Sequence, residues 1–147
     1  MPSQLRLPRS VKSIVLSGIL GGVLHLSLAG ALWLWFGFTS RLVGNELLFL
    51  YTASGAFTVG AIPSALLYAR RLKVPLIIVS GLFVASAFSN GATYVAQSPT
   101  PTPVGPTAFG WYLLGWFVVL GVALFAGGLE LSFRRTWRKQ RGESTSP

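Results

Sequence analysis

The chain has 147 residues, of which 52% are hydrophobic and only 10% are charged, and its mean hydropathy is +0.62. A soluble domain carries about 25% charged residues, so these values exclude an ordinary water-soluble protein. The abundance of apolar residues also excludes a disordered chain. There is no cysteine, which excludes disulfides, thiolate metal sites and cysteine nucleophiles. The composition indicates a small helical integral membrane protein.

Three windows of the chain, 13–40, 47–69 and 74–129, contain no charged residue. A hydrocarbon core about 30 Å thick requires roughly 20 apolar helical residues, so each of the first two windows fits one span. The third window is too long for one span and is divided at 97–107, where four prolines cannot continue a helix. We therefore predict an all-α bundle of four transmembrane helices at about 14–38, 47–69, 76–96 and 109–131.

The basic residues flank these spans unevenly. All of the 12 Lys and Arg residues except Arg41 precede the first span, lie between the second and third spans, or follow the fourth. Because Lys and Arg are enriched in cytoplasmic loops, we predict a multi-pass protein of the cell membrane with both termini in the cytoplasm. The segment 134–147 is predicted to be a basic, partly disordered tail that follows a transmembrane domain at 1–133.

A cleaved signal peptide is the alternative interpretation of the first span. Basic residues precede its apolar segment, and Ala29, Gly30 and Ala31 have the small-x-small form of a cleavage site. The residues that follow, 32–36, remain apolar where a cleavage region turns polar. This pattern favours a membrane span.

Two pairs of segments are similar between the halves of the chain. Residues 14–19 resemble 77–82, and residues 67–71 resemble 131–135. A duplication would make the halves two parallel-related hairpins, whose axis lies along the membrane normal. Convergence of two hairpins with the same topology explains the same pattern and is the interpretation that we favour.

His25 is the single histidine of the chain and lies deep in the first predicted span. Gly18, Gly22, His25 and Ala29 share one helix face by their spacing, and small residues mark the face that packs against other helices. We therefore expect His25 to point into the bundle. A structural imidazole is favoured over a proton relay or a ligand contact, with a hydroxyl of similar depth as its partner, namely that of Ser86, Ser54 or Thr58.

Asn90 is the other strongly polar residue within a predicted span, and Ser86 and Thr93 share its helix face. Their side chains would line a polar path to the outside or form hydrogen bonds between helices. We favour the hydrogen bonds, which contribute about 0.6 kcal/mol on average in membranes.

Small residues recur at spacings of four and mark candidate packing faces. They are typical of contacts between the helices of one chain, although a homo-oligomer or a larger membrane complex would use the same faces. The predicted helix-packing glycines are Gly18, Gly22, Gly60 and Gly81.

Near the end of the fourth span, Glu130 and Arg134 have the spacing of a helical ion pair.

Five basic residues follow the fourth predicted span within eight positions. Basic residues next to a membrane span attract anionic lipid headgroups, so we expect this segment to bind the cytoplasmic membrane surface and not nucleic acid. The residues assigned to this role are Arg134, Arg135, Arg138, Lys139 and Arg141.

The sequence contains no Asp, no His-Glu-x-x-His pattern and no phosphate-binding glycine loop. We therefore expect no enzyme activity, no metal site and no cofactor. The favoured function is that of a non-enzymatic structural or accessory component of the membrane. The alternative is a protomer of an oligomeric small-solute or proton-coupled transporter or channel, in which His25 or Asn90 would lie on the path.

Overall fold

The computed structural model describes residues 10–36, 46–96 and 107–143; at 93–96 and 138–143 it describes the backbone only. Every regular element in these ranges is a helix. All of the helices except the fourth are long and apolar enough to cross a membrane. This confirms the predicted all-α architecture with four helices capable of spanning, as in a small membrane protein. The helices are α1 (Val11–Trp35), α2 (Glu46–Arg70), α3 (Val74–Ala96), α4 (Ala108–Leu114) and α5 (Trp116–Glu143).

The fourth predicted span is interrupted at Gly115, although the sequence analysis predicted one helix over 109–131. The Gly115 N–H donates to the Trp111 carbonyl at 2.8 Å and ends α4, and the Val118 N–H donates to the Gly115 carbonyl at 2.9 Å as α5 begins. The hydroxyl of Tyr51 donates to the Leu114 carbonyl at 2.9 Å. This bond satisfies a carbonyl at the end of α4, so α2 stabilises the break.

Helix α5 continues to Glu143, far beyond the predicted end of the fourth span. Most of the predicted basic tail is therefore helical, and only residues 144–147 of it lie outside the described residues. Lys, Arg and Gln have high helix propensity, which explains why the helix persists after the apolar segment ends. The predicted loop at 97–106 and the N-terminal residues Arg6 and Arg9 also lie outside the described residues.

Helices α1 and α2 approach each other through glycines. A methyl group added at Gly60 would lie 2.4 Å from the Gly21 carbonyl oxygen and 2.5 Å from the Cβ atom of His25. Near this crossing the hydroxyl of Ser17 donates to the Ser64 carbonyl at 3.1 Å. The close backbone approach fixes the position of His25 relative to α2, as small residues permit in membrane helices.

The core lies where α2 and α3 meet α4. Val59 of α2, Val79 of α3 and Phe109 of α4 are almost completely buried. The Phe109 ring also contacts Phe83 edge-on, with the ring centroids 6.1 Å apart. These contacts fix α4 against α3, and they determine where the other side chains of α4 point.

Glu130 of α5 caps the N-terminus of α3. Its carboxylate accepts hydrogen bonds from the backbone N–H groups of Val74 at 3.0 Å and Lys73 at 3.4 Å. The predicted ion pair between Glu130 and Arg134 is present, and Arg134 also donates to the Arg71 carbonyl at 3.0 Å. The negative charge faces the positive end of a helix dipole, so Glu130 fastens the α2–α3 connection to α5.

We expect the Glu130→Gln variant to lose about 1–2 kcal/mol of unfolding free energy, because hydrogen bonds to a charged acceptor are stronger than those to a neutral one. The control is Glu46→Gln at the exposed start of α2, where a loss of less than about 0.5 kcal/mol is expected. Denaturant titration of both variants in mixed micelles measures the difference. Equal losses would contradict the capping role of Glu130.

Candidate functional site

His25 and Tyr112 form a buried hydrogen-bonded pair at the junction of α1, α3 and α4. The Tyr112 hydroxyl lies 3.0 Å from the His25 Nε2 atom, and both residues are more than nine-tenths buried. The Phe83 ring of α3 packs against both partners, with its centroid 4.7 Å from that of the imidazole and 5.6 Å from that of the phenol. His25 therefore points into the bundle.

The hydroxyls predicted as partners of His25 bond elsewhere. Ser86 donates to the Phe83 carbonyl at 2.9 Å, and Thr58 donates to the Ser54 carbonyl at 2.7 Å. The Ser54 hydroxyl donates to the Tyr51 carbonyl at 3.0 Å. Hydroxyls in helices often bond to carbonyls of their own preceding turn, so the prediction of a partner by depth alone was wrong.

The sequence analysis missed Tyr112 because it treated 109–131 as one continuous span and chose the partner of His25 by depth among serine and threonine hydroxyls. The break at Gly115 makes α4 a separate helix, whose first turn is capped by the Thr107 hydroxyl, which accepts from the Gly110 N–H at 3.0 Å. Tyr112 of this short helix lies against His25. The glycine after Tyr112-Leu113-Leu114 was the sequence signal that a break was available.

The hydrogen bond favours one tautomer of His25. The bond to His25 is the one that Tyr112 makes within the described residues. If the phenol donates to Nε2, only Nδ1–H is left without a partner, whereas the opposite direction would leave both the phenol hydrogen and Nδ1 unpaired. We therefore assign the phenol as the donor and the imidazole proton to Nδ1. No described residue hydrogen-bonds to Nδ1, so the site retains one unused donor.

A cavity of about 1100 Å³ lies between α1 and α3 and is lined by His25. We call it the α1–α3 groove; it extends along α1 from Gly21 to Phe36 and along α3 from Leu76 to Ala92, and α2 contributes Gly60 and Ser64. His25 is level with Phe83, and the Phe36 ring approaches Gly91. Residue numbers increase along both helices between the first contact and the second. The two helices therefore run in the same direction along the groove.

Apolar side chains form almost all of the groove surface. Its edges carry exposed residues of spanning helices, including Leu24 of α1, and Val84 and Phe88 of α3. Side chains of this kind on a membrane-spanning helix face hydrocarbon. The opening of the groove therefore faces the interior of the bilayer, and a molecule would reach His25 from the lipid.

Asn90 lies on the buried face of α3 that also carries Val79 and Phe83, about 10 Å along the helix from Phe83. Its side chain is 1% exposed, and neither amide atom has a hydrogen-bond partner among the described residues. The structure does not join it to Ser86, which bonds within its own helix. The Thr93 side chain lies outside the described residues. The hydrogen bonds between helices that we predicted for Asn90 and Ser86 are therefore absent among the described residues, and so is a hydrogen-bonded path.

The predicted packing glycines occupy different environments. A methyl group at Gly18 would lie 3.4 Å from the Ala61 carbonyl, and one at Gly22 would lie 2.7 Å from the Phe57 ring. Gly81, in contrast, is exposed, and a methyl group there would meet no atom within 4 Å. The spacing of small residues therefore does not by itself identify the packed face of α3.

The basic residues of α5 fall into two groups. Arg134 and Arg135 are exposed, and Arg134 is paired with Glu130. Nothing in the structure bears on the side chains of the others, which lie outside the described residues: Arg138, Lys139 and Arg141.

Together, the fold and the site define a small multi-pass helical membrane protein with a buried His–Tyr pair beside a groove that opens to lipid. In comparisons with protein families, with curated proteins and with solved structures, no family model, protein or structure matches the chain. Its function must therefore be inferred from its own residues.

Proposed function

We propose that the chain is a non-enzymatic structural or accessory component of the cell membrane, with both termini in the cytoplasm. The observation that carries this proposal is the nature of the cavity that reaches His25. It is an apolar groove between α1 and α3 that opens sideways. A proton or small polar solute requires a path lined by polar groups from one surface of the membrane to the other, and this groove does not have that lining.

The placement of the buried polar groups supports the same proposal. His25 is engaged with Tyr112, and Asn90 is absent from the residues that line the groove. The transporter alternative would place His25 or Asn90 on a path across the membrane, and among the described residues neither group lies on a polar path. This arrangement favours a role for His25 in fixing α1 against α4.

The basic end of α5 would anchor such a component to the membrane surface. Each Lys or Arg close to anionic headgroups contributes about 1 kcal/mol, and the exposed Trp137 adds an aromatic side chain of the kind found at membrane interfaces. We propose that this segment lies along the cytoplasmic leaflet, where it orients the bundle. Acidic lipids, and not nucleic acid, are its proposed partner.

A proton-flux measurement tests the proposal against the transporter alternative. The purified chain is reconstituted into liposomes that contain a pH-sensitive dye, and a pH gradient is imposed across the membrane. We expect the gradient to decay at the rate of protein-free liposomes, because the described residues form no polar path between the two sides. His25→Gln and Asn90→Leu variants should behave as the parent does.

The variants make this measurement decisive. Gradient collapse in the parent that is abolished by His25→Gln, with the variant still folded by circular dichroism, would overturn the proposal and establish proton transport. Collapse that is equally fast with His25→Gln and with Asn90→Leu would indicate leakage around the protein. Residual detergent would then be removed, and the parent would be compared again with protein-free liposomes.

A further inference from the structure

We propose that the α1–α3 groove binds an uncharged, lipid-soluble carbonyl compound with a long apolar chain, of the membrane-quinone type. The carbonyl oxygen would accept a hydrogen bond from the His25 Nδ1–H group. This inference rests on the proposed function, because a component that conducts no protons is free to hold a ligand beside its buried histidine. It adds to that function a ligand and the residues that recognise it.

The chemistry of the ligand follows from the groups that the groove leaves unpaired. Tyr112 occupies His25 Nε2, so the imidazole offers a donor at Nδ1 and no acceptor. The hydroxyls of Ser64 and Ser80 also line the groove, and neither has a hydrogen-bond partner among the described residues. Unpaired donors in an apolar site call for a ligand with an acceptor oxygen, since a ligand without one would leave them unsatisfied.

The distribution of polar groups along the groove indicates how the ligand lies. His25, Ser64 and Ser80 all line its first half, measured from the N-terminal ends of α1 and α3. The remainder, which ends at Trp35, Phe36 and Ala92, is lined by apolar side chains apart from the indole N–H of Trp35 at its far end. The head of the ligand therefore lies beside His25, and its apolar chain extends toward the C-terminal ends of the two helices.

The size of the groove suits a small molecule with a long apolar chain. Its volume of about 1100 Å³ is slightly above the usual range for small-molecule sites, which is about 300–1000 Å³.

The depth of His25 distinguishes a quinone-type head from a phospholipid. His25 lies about 15 Å from the nearer end of α1, which places it near the middle of a hydrocarbon core about 30 Å thick. Phospholipid carbonyls stay near the boundary of that core with their charged headgroups, because a charge at the bilayer centre is costly. An uncharged ring with carbonyl oxygens is stable at the depth of His25.

The test uses the full chain in detergent micelles, labelled with ¹⁵N-histidine, and decylubiquinone as the probe. Because the chain has one histidine, the spectrum reports on His25 alone. We expect a saturable shift of the Nδ1 signal with little change at Nε2. Dodecylbenzene, which is equally apolar but has no carbonyl oxygen, should leave Nδ1 unchanged. A quinone titration that shifts neither nitrogen, or an equal shift with dodecylbenzene, would overturn the proposal.

Two matched variants locate the binding site. Val84 lies at the edge of the groove and is 61% exposed, whereas Val122 of α5 is 49% exposed and does not line it. We expect Val84→Trp to weaken quinone binding at least tenfold and Val122→Trp to leave it unchanged. Ser80→Ala should weaken it several-fold. If both tryptophan variants bind as the parent does, the probe binds outside the groove and the proposal is wrong.

Three further outcomes distinguish failure of the ligand proposal from failure of the proposed function. Proton flux in liposomes without quinone would contradict the proposed function even if the quinone binds. Absence of both flux and binding would overturn the ligand alone. Conversion of a dimeric parent to a monomer by Val84→Trp, but not by Val122→Trp, would show that a second copy occupies the groove and would also overturn the ligand.

Discussion

Replacing Gly60 by alanine should lower the unfolding free energy by about 2–3 kcal/mol, a large effect for one methyl group. The added carbon would lie 2.4 Å from the Gly21 carbonyl oxygen and 2.5 Å from the His25 Cβ atom. Both atoms belong to, or are directly attached to, the α1 backbone, so no side-chain rotation relieves the overlap. Helix α1 must move away from α2 as a unit.

A series of Gly→Ala variants provides the comparison. At Gly22 the nearest atoms belong to the Phe57 ring, at 2.7–2.9 Å, and rotation of that ring would reduce the cost to about 1 kcal/mol. At Gly81 a methyl group meets nothing within 4 Å, so stability should be unchanged or slightly higher. Titration with a denaturing detergent measures the three values, and a Gly60 effect no larger than the Gly81 effect would refute the close α1–α2 crossing.

The spans were predictable from the sequence because charge and proline are strong signals in a membrane. An unpaired charge or a helix break within hydrocarbon leaves polar groups unsatisfied, so uncharged windows and the proline segment at 97–107 locate the helices. The end of α5 was not predictable in this way. Once a helix leaves the hydrocarbon, helix propensity determines its length, and the residues after Leu131 favour helix as far as Glu143.

The partner of His25 was not predictable because depth was estimated along straight, continuous helices. The structure instead interrupts the fourth span at Gly115, and Tyr112 of the separate helix α4 contacts the imidazole. A hydrogen bond requires its two atoms to lie within about 3.2 Å, which is finer than a depth estimated from residue spacing. Sequence spacing therefore gave the helix face of His25 but not its contact.

The environment of the third helix shows the same limit. Gly81 and Asn90 have the small and polar character of packing residues, yet Gly81 is exposed and Asn90 is buried without a hydrogen-bond partner among the described residues. Which face of an apolar membrane helix is buried depends on its neighbours, because lipid and protein are similarly apolar. The α1–α3 groove was unpredictable for this reason, since it exists where two apolar faces fail to meet.

Removal of the Tyr112 hydroxyl tests whether its contact with His25 stabilises the fold. We expect Tyr112→Phe to lower the unfolding free energy by about 1–2 kcal/mol, because it leaves the buried Nε2 atom of His25 without a donor. His25→Leu should cost a similar amount, whereas His25→Gln should cost less because an amide retains a donor and an acceptor. The double variant Tyr112→Phe with His25→Leu should cost less than the sum of the single changes, by about 1 kcal/mol.

The control for this cycle combines His25→Leu with Ser86→Ala. Ser86 is bonded within its own helix, so its effect should add to that of His25→Leu without coupling. The imidazole spectrum of the parent gives an independent check, because a Tyr112 hydroxyl that donates to Nε2 requires the proton to reside on Nδ1. A proton on Nε2 in the parent would reverse the bond, with the imidazole donating to the Tyr112 hydroxyl, and would contradict the Nδ1 donor. Additive energies in both cycles would show that the two side chains are neighbours without a stabilising hydrogen bond. In that case His25 would be held by the α1–α2 crossing and by the Phe83 ring alone.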